Sequence, residues 1–307
     1  MQIATLPRAR LAHLPTPLQK LSTLTKQLNG PAIYIKRDDL TGLAFGGNKL
    51  RKLEFLMGDA QRAGADIIVA GIQGFQSNHL VQTAAAARHL GLDVVLVKTG
   101  PVKGYDPLEY DGNHLLQYLL GADIRVFPPD QTPKLEDIAL KLREQGRTPY
   151  IISQAGSTPV GTAGYMNAVL ELLSQTTTFD VPINYIVHAT GTGGTQAGLV
   201  LGAKALNTGI QILGISVDAP HRTATIRSTV RDLILTSAQL FNFDLTLHEN
   251  DVTVLDRYSN GGYGVITPEK VAAIQLLAQT EGIFLDPVYT STAMAGLLDL
   301  IRNGRFT

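Results

Sequence analysis

The sequence predicts an α/β fold of parallel sheets covered by helices, on three observations. Between residues 66 and 153, short apolar β-branched runs alternate with helical patterns, the βαβα rhythm of a parallel sheet. Residues 181–206 form one further such unit, a nearly continuous apolar run, a glycine-rich turn and an apolar helix. The 307 residues are enough for one large or two modest domains with a sizeable core.

The elements follow in order. Residues 1–31 are punctuated by proline and are expected to wrap a surface. Pro31–Arg37 reads as a strand, 38–47 as a loop, and a helix starts near Asn48 with Leu50, Leu53, Leu56, Met57 and Ala60 on one face. The strands are then 66–71, 93–98, 124–127 and 150–153. The helices between them are 78–90, closed by Gly91, 113–120, closed by Gly121, and 134–145. Residues 156–164 are small and read as a loop before a helix over 165–174. The strand over 181–190 is expected to be buried on both faces, and another runs from Ile210 to Val217. Helices are expected over roughly 220–240, over 270–280 behind the start signal Thr267-Pro268-Glu269, and over 291–302. No composition shift marks a linker, and no internal repeat is visible.

Composition excludes several classes of function. Lys and Arg number 26 and Asp and Glu 26, so neither nucleic acid nor an anionic membrane surface is an expected partner. The absence of cysteine removes disulfides, thiolate metal sites and cysteine nucleophiles, and it accords with a reducing compartment. The N-terminus has no apolar core of signal-peptide length, and no stretch reaches ~20 uninterrupted apolar residues, so no membrane span is expected. The seven histidines show no metal-ligand spacing, and no metal is expected.

The chemistry begins at Gly191-Thr192-Gly193-Gly194-Thr195. Glycines between a strand and a helix allow positive φ and present backbone amides at the positive end of the helix dipole, an arrangement that binds phosphate. A tight connection with no ligand is the plainer alternative. A Walker loop is excluded because no Gly-Lys-Ser/Thr follows. A dinucleotide fingerprint fails at its third glycine, where Gln196 stands, although Asp218 could mimic the acid that holds a ribose.

Other candidates are weak one by one. Lys49, after Phe45-Gly46-Gly47-Asn48, puts an ammonium at the unfavourable end of a helix dipole, and a lysine kept neutral is a nucleophile capable of Schiff-base chemistry. From position alone, a surface lysine beside Arg51 and Lys52 is the simpler reading. Gln76-Ser77-Asn78-His79 stands where a strand ends and a helix begins, where parallel sheets bind ligands, yet a plain helix cap would look the same. Tyr263 lies in a glycine-rich loop, Tyr289 and Thr290 precede the last helix, and Asp38-Asp39 reads as solvated loop.

Taken in order, KRDDLTGLAFGGNKLRKLEFL, QSNHLVQTAAAARHLGL, GTGGTQAGL, GGYGV and EGIFLDPVYTSTAMAGL resemble the D-cysteine desulfhydrase and 1-aminocyclopropane-1-carboxylate deaminase family of pyridoxal-phosphate enzymes. The resemblance runs from about residue 10 to 305. It implies the tryptophan-synthase-β-like fold (fold type II), with two open twisted parallel-sheet domains carrying helices on both faces. The large cofactor-binding domain would be 1–50 and 159–307, and the small inserted domain 51–158. Lys49 would hold pyridoxal 5'-phosphate and move the Cα proton. Asn78 would bond the 3-hydroxyl oxygen of its ring, Gly191, Thr192, Gly193, Gly194 and Thr195 its phosphate, and Thr290 would face its pyridine nitrogen. Ser77, His79, Tyr263 and Tyr289 would line the substrate side.

The deaminase branch typically carries Glu where this chain has Thr290, and a hydroxyl there leaves the ring a weaker electron sink. That tilts the expected activity to β-elimination from a small amino acid, D-cysteine giving pyruvate, ammonia and sulfide. Deamination of 1-aminocyclopropane-1-carboxylate, an L-cysteate lyase, a non-catalytic cofactor- or metabolite-binding relative and a nucleotide-binding module are the alternatives. A cytoplasmic homodimer is the family expectation. The chain departs from the family at Thr292, where lysine is common. It also stops at Phe306-Thr307, where relatives usually continue with a strand and a His-Thr-Gly-Gly-like turn, so one wall of the site is expected to be missing or the chain incomplete.

Overall fold

The computed structural model describes residues 5–100, 109–259 and 261–306. Residues 1–4 and 307 of the expected large domain lie outside the described residues. In chain order the elements are β1 (Leu18–Lys20), α1 (Ser22–Leu28), β2 (Tyr34–Lys36), α2 (Lys49–Arg62), β3 (Ile67–Gln73), α3 (Asn78–His89), β4 (Asp93–Thr99), α4 (Gly112–Leu119), β5 (Asp123–Phe127), α5 (Leu135–Glu144), β6 (Pro149–Ile152), α6 (Pro159–Phe179), β7 (Tyr185–Thr190), α7 (Gly194–Ala205), β8 (Gln211–Ser216), α8 (Thr223–Leu240), β9 (Thr253–Leu255), α9 (Pro268–Glu281) and α10 (Thr290–Arg302).

The chain divides into two compact units, Met1–Thr16 with Asp38–Gly164, and Pro17–Arg37 with Tyr165–Thr307. The first unit holds a four-stranded sheet of order β5-β4-β3-β6, parallel throughout. Its strands alternate in the way the pleat requires. Ile68, Ala70, Val94 and Leu96 pack on one face with Leu50, Leu53 and Leu56 of α2 and Leu80 and Ala84 of α3. Ile67, Val69, Val95 and Val97 pack on the other with Leu135, Ile138 and Leu142 of α5. Both faces are therefore covered, which is why these strands read as continuous apolar runs rather than as alternation.

The second unit holds the parallel sheet β7-β8-β9 and the antiparallel ribbon β1-β2. Leu213 and Ile215 of β8 pack with Leu300 of α10. On the other side of β8, a Cβ at Gly214 would lie 2.4–2.8 Å from the side chain of Gln196 in α7, so glycine lets helix and strand approach. A second cluster gathers Leu21, Leu24, Ala273, Leu277, Met294 and Leu298 from α1, α9 and α10.

Three expectations need correction. The compact units differ from the expected domains in their N-terminal part, because residues up to Thr16 and from Asp38 onward pack with the first unit. Glu54 of α2 explains this. Its carboxylate accepts the N–H groups of Leu11 (2.9 Å) and Ala12 (3.0 Å) and pairs with Arg8 (2.6 Å), while Ala9 and Leu11 enter the core beside Leu50. The strand expected to be buried on both faces is the edge strand β7, and Tyr185–Ala189 are only half-buried. The loop expected over 156–164 is already helix from Pro159. Pro pre-sets the first turn, Thr158 Oγ1 accepts the N–H of Gly161 (3.1 Å), and a side chain at Gly164 would strike the backbone of Arg51. The small residues there serve close packing.

Candidate active site

The candidate residues fall into two sets, one within each unit. The first set is built on the N-termini of α2 and α3. Before α2 the chain turns through Gly46 (φ 74°) and Gly47 (φ 129°), conformations that favour glycine. Thr41 Oγ1 accepts the N–H of Gly47 (2.7 Å), and Gln82 of α3 donates to the carbonyl of Gly46 (2.7 Å), so the turn is tied to both neighbours. Lys49 then opens α2 with no acidic residue in the first turn to balance it. Desolvation by the surrounding protein lowers its amine to about 8, which leaves a usable neutral fraction near neutral pH.

Lys52, one turn further on, is buried, and its Nζ reaches the carbonyl of Ala155, at 3.5 Å. Burial and then the neighbouring Lys49 hold it well below its ordinary value. His79 is buried beside them. Its Nδ1 lies 3.5 Å from Thr83 Oγ1, while its Nε2 has no hydrogen-bond partner among the described residues. Burial, Lys49 and Lys52, in that order, keep its ring neutral. No carboxylate is among the influences on Lys52 or His79. Lys49, Lys52 and His79 thus share one place, where each lysine disfavours positive charge on its neighbour. Such a place suits an anionic ligand.

Ser77 is the N-cap of α3, with Oγ accepting from Leu80 N–H at 3.3 Å. The loop before it is held from below. Lys98 at the end of β4 donates to the carbonyl of Phe75 (3.2 Å), and Gln117 of α4 to that of Ser77 (3.4 Å). Lys98 is fully buried, 2.6 Å from His114 Nδ1, and burial lowers it to about 8. Asn78 is exposed, with Oδ1 taken by Asn113 Nδ2 at 2.7 Å.

The second set begins where β7 becomes α7. Gly193 is the N-cap, left-handed at φ 81°, with no side-chain cap and no acidic residue in the first turn. A Cβ at Gly193 would lie 2.9 Å from Val230 Cγ2 of α8. The hydroxyl of Thr190, which ends β7, is buried and without a hydrogen-bond partner among the described residues. An orphaned donor next to a glycine turn at a helix N-terminus suits a phosphate.

In the same unit the Tyr263 and Tyr289 hydroxyls lie 2.7 Å apart, with their rings edge to face. Tyr263 stands between the positive-φ glycines Gly262 and Gly264 and is 59% exposed. Burial, then the hydrogen bond shared with Tyr263, then Asp286 and Asp218 raise the Tyr289 phenol well above its ordinary value, so it keeps its proton. Asp218, weighed above as a ribose acid, takes part here only as one of these charges. The Thr290 hydroxyl is tied to Asp286 twice, Oγ1 donating to Oδ1 (2.6 Å) and accepting the Asp286 N–H (2.8 Å).

Sequence reasoning gave Lys52 no role and named it and Arg51 only as neighbours of Lys49, although both are buried. It misread Asp38 as solvated. The Asp38 carboxylate accepts two bonds from Arg51 (2.8 Å each) and one from Thr16 (2.9 Å). It also missed Asp286 and Asn113, whose partners lie on turns that carry no periodic signal. Among the described residues no group of His, Asp and Glu could hold a metal.

Known proteins resemble the chain over nearly its whole length. The family model described as "Pyridoxal-phosphate dependent enzyme" matches residues 9–307. A Pyrococcus horikoshii protein named "Putative 1-aminocyclopropane-1-carboxylate deaminase" is 41% identical over 306 residues, covering 98% of this chain and 89% of its own. A Klebsiella pneumoniae protein named "D-cysteine desulfhydrase" is 40% identical over 304 residues, covering 98% and 90%. A crystal structure described as that of "the ACC deaminase homologue" superposes with TM-score 0.87 at 39% identity, covering 99% of this chain and 90% of that one.

Proposed function

The chain belongs to the family of pyridoxal-phosphate dependent enzymes, and from that premise we propose that it is a lyase eliminating the β-substituent of a small amino acid, with D-cysteine as substrate and pyruvate, ammonia and sulfide as products. The observation that carries the reading is Lys49, an amine lowered to about 8 at a helix N-terminus, beside Lys52 and His79 with no carboxylate among the influences on either neighbour.

Pyridoxal phosphate, when bound, supplies an aldehyde that engages an amino acid covalently and a ring that draws electrons from its Cα. The residues of this chain do the rest. Lys49 would anchor the cofactor, and its Nζ would take the Cα proton. Lys52 adds positive charge, and the Gly191–Thr195 turn with the Thr190 hydroxyl holds the phosphate. Asn78 donates to the 3-hydroxyl oxygen, and Ser77 and neutral His79 meet the substrate carboxylate. Tyr289, kept protonated, donates a hydrogen bond to the leaving sulfur with Tyr263 behind it. Thr290 would turn its hydroxyl proton from Asp286 Oδ1 to the pyridine nitrogen, a weak donor that does not commit the ring to full protonation. That favours loss of a good leaving group over opening of a cyclopropane.

The Pyrococcus relative's name favours the second reading, deamination of 1-aminocyclopropane-1-carboxylate. A homodimer in the cytoplasm belongs to our reading, and the lack of cysteine supports a reducing setting. Among the described residues no helix is long and apolar enough to cross a membrane.

The test is product release from the loaded enzyme given D-cysteine, L-cysteine, L-cysteate and 1-aminocyclopropane-1-carboxylate. Equal amounts of pyruvate and sulfide from D-cysteine alone are expected. 2-Oxobutyrate from the cyclopropane substrate, with D-cysteine unchanged, would replace our reading with the second one.

A further inference from the structure

Asn78 can serve a ring oxygen only if its amide presents Nδ2, and not Oδ1, toward it. Nothing in the side chain itself decides between the two, because the amide can turn over. The neighbouring helix α4 decides. Asn113 Nδ2 lies 2.9 Å from the carbonyl oxygen of Gln76 and 2.7 Å from Asn78 Oδ1. A carbonyl only accepts, so the Asn113 group facing it must be the NH2. That NH2 has two hydrogens, one for each neighbour. The Asn78 atom facing it must then be the acceptor, Oδ1, which leaves Nδ2 pointing away.

A second chain of fixed polarity holds Asn113 in place. The Asp111 carboxylate, acceptor only when ionised, takes Gln76 Nε2 at 2.8 Å. Gln76 Oε1 is therefore turned toward the backbone N–H of Asn113, which it accepts at 2.7 Å. Gly112, at φ 44°, lets this happen, since a Cβ there would lie 2.7 Å from Gln76 Oε1. Two acceptors that cannot reverse, the Gln76 carbonyl and the Asp111 carboxylate, fix every donor and acceptor between them.

We propose that Asn113 is a positioning residue that locks the Asn78 amide with Nδ2 presented to the 3-hydroxyl oxygen of bound pyridoxal phosphate. This rests on the assignment of Asn78 to that oxygen in the function proposed above. Asn113 acts through Asn78 and does not itself touch cofactor or substrate.

The experiment is a double-mutant cycle on the full chain, loaded with pyridoxal phosphate. It reads the Kd for the cofactor and the pH midpoint of its visible absorption band, alongside Tm. Asn113→Ala is expected to weaken cofactor binding roughly tenfold and to shift the midpoint, as expected when a hydrogen bond to a charged oxygen is lost. Asn113→Asp, which places acceptors against acceptors, is expected to do more. In an Asn78→Ala background, Asn113→Ala should cause no further loss beyond about twofold. A loss of equal size with and without Asn78, or no change on Asn113→Ala, overturns the proposal. If the wild type loads but Asn78→Ala alters neither readout, the assignment of Asn78 fails, and the proposal with it. If the wild type does not load, the function proposed above fails as a whole. Asn113→Ser, too short to bridge both acceptors, runs the same cycle should the alanine variant not fold.

Discussion

The phenolic oxygens of Tyr263 and Tyr289 lie 2.7 Å apart, joining the glycine turn ahead of α9 to the turn ahead of α10. Each hydroxyl fixes the other, so the pair behaves as one unit. Tyr289→Phe is expected to lower the rate of pyruvate release about 10²-fold while leaving cofactor absorption intact. Tyr263→Phe should lower it less, and the double variant should resemble Tyr289→Phe alone rather than the product of the two effects. Steady-state rates of the three variants check this, and a double variant with multiplied losses would separate the two hydroxyls.

Gly193 has both a left-handed backbone, φ 81°, and a neighbour 2.9 Å from where a Cβ would sit. Gly209 has a similar φ of 70° but open space around it. Gly209→Ala should cost only backbone strain, about 1 kcal/mol by urea denaturation. Gly193→Ala should cost more, about 2 kcal/mol with the contact against Val230 included, and should alone weaken pyridoxal phosphate in a binding titration. Equal effects at the two positions would mean that the turn does not hold the phosphate.

Asp286 gathers the turn before α10. Its carboxylate accepts the N–H groups of Val288 (2.8 Å), Tyr289 (2.7 Å) and Thr290 (2.7 Å) as well as the Thr290 hydroxyl. Asp286→Ala removes four hydrogen bonds at once and is expected to destabilise the chain by about 2–3 kcal/mol in denaturant titration. Thr290→Val removes only the hydroxyl and should cost about 1 kcal/mol. A Thr290 variant costlier than the Asp286 variant would reverse this order.

Lys98 supplies a pH dependence whose sign is fixed. Its amine sits at about 8 when folded, against an ordinary value of 10.5, so between those values the unfolded chain binds more protons. Stability therefore rises as pH climbs from about 8 toward 10.5, and the full cost of burying the charge is present below about 8. Urea titrations at several pH values in that window, on the chain free of cofactor, should show the rise. Lys98→Met should flatten it without abolishing it, since Lys49 is lowered to about 8 as well. An unchanged slope in Lys98→Met would place the Lys98 ammonium in contact with solvent.

Much of the fold was legible because strands covered on both faces advertise themselves. Ile67–Ala70 and Val94–Val97 are apolar at every position, and Gly91 and Gly121 mark the ends of the helices before the next strands. The start of α6 was not legible, since Gly161 and Gly164 look like loop residues until the backbones they let approach are known. Neither was β9, whose three residues are too few for a period. Within the candidate site, the ordered motifs pointed to Lys49, Ser77 and Asn78. Lys52 escaped because burial is a tertiary property, and a lysine letter between Arg51 and Leu53 reads as surface. Asn113 and Asp286 escaped because what matters is which atom faces which, a matter of polarity across turns that residue spacing does not encode.

Among the described residues of the first unit, three lysines have amines pulled down by burial at or beside the candidate site, Lys49, Lys52 and Lys98. The account requires that only the first bind the cofactor covalently. Borohydride reduction of the chain loaded with pyridoxal phosphate, followed by proteolysis and mass spectrometry, reads this directly. The added mass is expected on the peptide carrying Lys49 and at that residue alone. The mass on Lys52 or Lys98, or no retained cofactor after reduction, would contradict the account.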